Sequence, residues 1–112
     1  MQLTNKERKK TMEEKRIKEL SVIANQIRKD ALTGIYNAKA GHPGGSLSCT
    51  DILTYLYFNE MNIDPQNPKM EERDRFVLSK GHAAPALYGV LAERGYFDKS
   101  IPHASLTFLT RS

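Results

Sequence analysis

The sequence is poor in the residues that staple or anchor a chain. Among 112 residues there is one cysteine, Cys49, and no tryptophan. A single thiol excludes an internal disulfide framework and a cysteine-based zinc site. No apolar run approaches the roughly 18–20 residues of a membrane-spanning helix. The opening stretch MQLTNKERKK has charge but no apolar segment behind it, so it does not read as a secretory signal. Internal repeats and low-complexity tracts are lacking as well. Hydrophobic residues make up 39% and charged residues 27% of the chain, a balance that argues against wholesale disorder. The length allows one domain with a modest core. The expectation is a soluble, cytoplasmic protein.

What charge there is lies at one end. Residues 1–29 hold nine Lys and Arg against four Glu, a net of +5, while the rest of the chain nets −1. A basic first segment can bind nucleic acid or another anionic partner. The interleaved glutamates fit a solvated helix face equally well, with Glu14 and Lys18 at ion-pair spacing. No aromatic residue lies among these charges, which weakens a base-stacking role.

The hydropathy pattern predicts one long helix over residues 5–38. Ile17, Leu20, Ala24, Ile27, Ala31 and Ile35 recur at spacings of three and four, widened by Ile23 and Leu32. Residues before about 13 lack this stripe, so fraying is expected there. Gly41-His42-Pro43-Gly44-Gly45-Ser46 then breaks the helix. A second helix is expected from about Ser48 to Met61, with Ser48 and Asp51 as a capping box. Its apolar face is Ile52, Leu53, Leu56 and Tyr57. Arg75-Phe76-Val77-Leu78-Ser79 reads as a short parallel strand. A third helix starts near Ala83 or Ala84, with Pro85 in its first turn and Gly95 at its end. The fold class implied is α/β, in the order long helix, helix, parallel strand, helix. One strand cannot make a sheet alone, so this order reads as the opening of a larger layered domain.

Two segments carry chemistry. Gly41 to Ser46 and Ser79-Lys80-Gly81-His82-Ala83 each lead into a predicted helix N-terminus, where free N–H groups suit a phosphate. Glycine permits close backbone approach, and His42 and His82 can each hold an anion or move a proton near neutral pH. Neither segment matches the nucleotide-hydrolase phosphate loop or the dinucleotide glycine fingerprint. Each histidine taken singly fits a structural role too. Lys80 reads as a surface lysine that could steer an anion. Cys49 reads as a small buried residue, and Tyr55, Tyr57 and Phe58 as packing. The three histidines form no recognisable metal set, and no carboxylate pair is spaced for acid–base work.

The two segments, quoted in full, are Ala40-Gly41-His42-Pro43-Gly44-Gly45-Ser46-Leu47-Ser48 with Asp51-Ile52-Leu53, and Asp74-Arg75-Phe76-Val77-Leu78-Ser79-Lys80-Gly81-His82-Ala83-Ala84-Pro85-Ala86-Leu87-Tyr88. They resemble the first two motifs of the transketolase family. The wording is most similar to the amino-terminal subunit of bacterial split transketolases. The Gly-His-Pro-Gly-Gly-Ser run favours this family over deoxyxylulose phosphate synthases of the same architecture. The resemblance spans about residues 17–97. It implies a thiamine diphosphate-binding, pyrophosphate-type α/β fold. It implies transfer of a two-carbon ketol unit between sugar phosphates, with thiamine diphosphate and Mg²⁺ as cofactors. By the same resemblance, His42 contacts the sugar substrate, and Gly81 and His82 lie at the cofactor diphosphate, His42 and His82 both being catalytic. A carboxy-terminal transketolase subunit is the implied partner, within an oligomer.

The departures from the family are as informative. His103 has neither the glycine before it nor the proline after it that the family's next motif carries. The later Gly-Asp-Gly…Asn signature, which supplies metal ligands in the family, does not occur in the sequence. Residues 1–97 are expected to be the start of the thiamine diphosphate-binding domain and 98–112 a divergent tail from truncation or frameshift. The expected protein is an amino-terminal transketolase segment that is incompetent alone. The alternative is a small basic helical module that binds a partner chain or nucleic acid.

Overall fold

A computed structural model describes residues 2–39 and 41–100. Three α-helices pack on one another: α1 (Asn5–Ala38), α2 (Pro43–Tyr55) and α3 (Ala84–Arg94). A π-helical turn, Leu56–Glu60, prolongs α2, and a 3₁₀ turn, Gly81–Ala83, leads into α3. None of the described helices is long and apolar enough to cross a membrane.

The predicted bounds of α1 hold, but its start is firmer than the apolar stripe implies. Thr4 accepts the Glu7 N–H at 3.1 Å, and the Glu7 carboxylate accepts the Thr4 N–H at 2.8 Å. This reciprocal cap satisfies two otherwise free donors, so the first turn is helical without tertiary support. At the other end Lys39 adopts a left-handed conformation, φ 55°, and closes the helix. Ala24, Ile27 and Ala31 are buried as the pattern requires. Ile17 and Leu32 are not, at 62% and 44% exposure. Leu32 follows the fully buried Ala31 and is turned to the outer face; for Ile17 the reason is length. At 34 residues α1 runs about 50 Å, while α2 and α3 have 13 and 11 residues and cover only its middle.

The second helix begins earlier than predicted. Pro43 occupies its first turn and His42 precedes it, because proline needs no N–H partner there. Ser48 is therefore inside α2. Its hydroxyl donates to the Gly45 carbonyl at 3.2 Å instead of capping the helix. Leu53 and Tyr57 are buried as expected, while Ile52 is 61% exposed. The inward face is completed by Thr50 and Thr54, whose hydroxyls donate to the carbonyls of Ser46 and Thr50, both at 2.8 Å. Satisfied in this way, small hydroxyls can be buried at little cost.

The α/β fold and its parallel strand are not found: the described residues form helices and loops, with no strand among them. Residues 75–79 lack any ladder partner. The segment is tied at its start, where Asp74 N–H donates to the Asn62 carbonyl at 2.9 Å and Asn62 N–H to the Asp74 carboxylate at 2.7 Å. Phe76 and Leu78 then turn onto the core while Val77 is 70% exposed. The apolar, β-branched centre that suggested a strand is real. It is used by packing one side on helices, since a strand needs a second extended segment to bond with. The order of the three helices and the positions of Pro85 and Gly95 agree with the sequence pattern; Gly95 closes α3 at φ 102°.

The core joins Ile27 of α1, Cys49 and Leu53 of α2, Tyr57 of the π turn, and Ala86 and Val90 of α3. Two arginines hold the π turn from either side. Arg16 of α1 donates to the Phe58 carbonyl and, at 3.3 Å, to the Asn59 side chain. Arg94 of α3 donates to the Tyr57 carbonyl at 2.9 Å, its guanidinium 5.9 Å from the Phe58 ring centre. Carbonyls at a helix end lack intrahelical donors, and these side chains supply them.

Candidate functional site

The fold brings the two histidine segments together. His42 sits immediately before α2, and His82 sits in the 3₁₀ turn before α3. Their ring centres are 5.7 Å apart with planes at 88°. Both side chains belong to exposed residues, so the pair opens to solvent. The sequence pattern puts His82 at the end of a strand. It is placed instead by the turn, whose Ala83 is fully buried in the core.

Gly45 shows why this packing needs a glycine at that position. A Cβ built there would lie 2.6 Å from His82 Nε2, too close for any real contact. Gly44 and Gly81 have open space around them, room that a ligand's approach requires. Lys80 links the two segments: its Nζ donates to the Gly45 carbonyl at 2.9 Å and to Ser48 Oγ at 3.0 Å. Ser46 is fully buried in the first turn of α2, and its Oγ has no hydrogen-bond partner. The Cys49 thiol faces the Gly45 and Ser46 carbonyls at 3.4 and 3.5 Å and is a packing group, as read from the sequence.

The electrostatics are one-sided. The first turn of α2 carries no acidic residue, so its free N–H groups, the Lys80 ammonium and two imidazoles share one region. That combination can hold an anion and can move a proton. It fits the diphosphate end of a cofactor, on the strength of the glycine clearances and the unpartnered Ser46 hydroxyl. Among the described residues no three His, Cys, Asp or Glu side chains converge as metal ligands. A pocket of about 500 Å³ adjoins the segment, lined by Ile35, Tyr36, Asn37, Lys39, Gly41 and Pro43.

Sequence reasoning singles out His42, His82 and Gly81 but misses how Gly45 and Ser46 take part. The one available signal is the second of two consecutive glycines falling inside a helix's first turn. No carboxylate pair is evident in the sequence either, yet the fold brings Asp30 of α1 and Glu93 of α3 to the Lys99 ammonium. Burial first, and then Asp30, pushes the Glu93 carboxyl above its usual value. This cluster lies on the α1–α3 seam and lacks a histidine. His103 and the rest of 101–112 lie outside the described residues.

Residues 19–106 match a family described as transketolase, thiamine diphosphate binding domain. Among curated proteins, 6-deoxy-6-sulfo-D-fructose transketolase subunit SqwG of Clostridium sp. (strain MSTE9) is 58% identical over 74 residues, 66% of this chain and 27% of that protein. An apulose-4-phosphate transketolase subunit of Phocaeicola vulgatus is 44% identical over 85 residues, 76% of this chain and 30% of that protein. Human transketolase is 39% identical over 88 residues, 79% of this chain and 14% of that protein. The chain thus spans less than a third of the length of these relatives.

Proposed function

This chain belongs to the transketolase family, in its thiamine diphosphate-binding domain, and on that premise we propose that it supplies the two histidine turns of a ketol-transferring site completed by other protein segments. The observation that carries the proposal is the 5.7 Å approach of His42 and His82 at the unacidic N-terminal turn of α2. Thiamine diphosphate, when bound, supplies the nucleophilic carbon for breaking and forming a bond beside a carbonyl.

The chain's own residues then divide the work. The first-turn N–H groups of α2, with Gly81 and His82, hold the diphosphate end. His42, at the open side, binds a sugar-phosphate hydroxyl or carbonyl and moves its proton. Magnesium enters through the family alone, since no ligand set for it is found among the described residues. A carboxy-terminal transketolase subunit is the proposed partner, as two of the relatives are named as subunits, and the assembled enzyme is an oligomer. By itself the chain is inactive.

Calorimetry with thiamine diphosphate and Mg²⁺, with and without a carboxy-terminal transketolase subunit, tests this. Binding that appears or tightens with the subunit is expected. Ketol transfer by this polypeptide alone would overturn the claim of incompetence, and silence under both conditions would overturn the cofactor role.

A further inference from the structure

Lys80 is the residue whose structural role goes furthest beyond its sequence reading. A lysine side chain loses much rotamer entropy when fixed, so an exposed one is normally left free. Lys80 is only partly exposed, and its ammonium reaches two acceptors in α2, the Gly45 carbonyl and Ser48 Oγ, at 2.9 and 3.0 Å. The helix dipole does not explain the placement, because a cation is disfavoured near a helix N-terminus. The acceptors do. Gly45 is also the residue whose missing Cβ makes room for the His82 ring. One side chain therefore grips the same residue that the histidine two positions further on packs against.

We propose that Lys80 is a positioning residue: it staples the His82 turn to the first turn of α2 and so sets the His82 ring against Gly45. Its consequence for ketol transfer rests on the proposed function; the staple itself does not. Ala83 is fully buried and anchors the turn in the core independently. Removing the ammonium therefore frees the orientation of His82 while leaving the turn attached. An ammonium has three N–H donors, two of which these acceptors can engage, and it adds a fixed positive charge beside the histidine pair.

The test is nuclear magnetic resonance on the full chain without cofactor, so that its result is independent of thiamine diphosphate binding. The readout is the nuclear Overhauser contact between the Gly45 Hα atoms and the His82 ring, with backbone amide shifts as the control for folding. In Lys80→Met the contact is expected to vanish, with amide shifts changed around Gly45, Ser48 and His82 and unchanged in α3 beyond Val90. Lys80→Arg keeps a cation with several donors and should restore the contact. Ser48→Ala removes one acceptor of two and should weaken it. An unaltered contact in Lys80→Met overturns the staple, as does equal loss in Lys80→Arg. Should Lys80→Met fail to fold, Ser48→Ala decides: a contact of full strength there overturns the proposal. Calorimetry with thiamine diphosphate on the same variants then separates failure of the staple from failure of the functional reading.

Discussion

The two ends of α2 make opposite use of the same helix. The N-terminal end is glycine-rich, open to solvent and polar, with Gly45 left bare so that a histidine can approach. The C-terminal end runs into a π turn whose carbonyls are held by Arg16 and Arg94 and whose Tyr57 packs against Phe76 and Tyr96. Stability is concentrated at the second end and chemical potential at the first. A site built this way has an anchored base and an adaptable mouth, which is what a ligand-binding turn on a rigid element requires.

The comparison can be broken most severely from the packed end. Leu53 is 1% exposed in the core between the helices. Leu53→Ala should cost about 2–5 kcal/mol, read as a lower urea midpoint. The His42–His82 approach should persist in the fraction that remains folded. Equal loss at both ends would show that they are one unit.

A smaller and reversible break comes from alkali. Burial pushes the Tyr57 phenol up to about 12 from its ordinary 10.0. The folded state disfavours the phenolate, so this contribution is fully present below pH 10 and is lost as pH rises toward 12. Its size is on the order of 1–2 kcal/mol once the water that still reaches the phenol is allowed for. Unfolding followed between these limits should show the decline in the parent protein. Tyr57→Phe should lack that component; an unchanged alkaline slope would remove Tyr57 as its source.

The mildest change in stability, and the most local one, belongs to the open end. Gly45→Ala gains helix propensity of about 1 kcal/mol and collides with the exposed His82 ring, which can swing away. Net stability should change by no more than about 1 kcal/mol, while the Overhauser contact between residue 45 and His82 disappears and thiamine diphosphate binding weakens. A large stability loss instead would mean that His82 is as firmly packed as the other end.

Local chemistry made much of this protein legible. The stripe of Ala24, Ile27 and Ala31 marked α1, Pro85 and Gly95 bracketed α3, and the two histidine motifs named their residues before any fold was known. Each of these depends on neighbours a few positions apart. The misreadings share the opposite property. Residues 75–79 have the short, apolar, β-branched centre of a strand, but strand formation depends on a distant partner, and packing against helices used the apolar residues instead. The sequence pattern puts Ile17 and Ile52 on buried faces, yet they are 62% and 61% exposed: Ile17 lies toward the end of α1 that the shorter helices do not cover, and Ile52 is turned outward beside the buried Leu53 and Thr54. The late start expected for α2, Ser48 instead of Pro43, comes from reading glycine and proline as a break where a proline can serve as a first turn.

The sequence by itself determined that three helices form in this order and the identity of the two histidines, since propensity, capping and periodicity are short-range. Tertiary structure alone decided that His42 and His82 meet, that the His82 ring occupies the space a Gly45 side chain would fill, and that Lys80 bonds across to α2. Those are contacts between residues far apart in the chain, and only packing sets such distances.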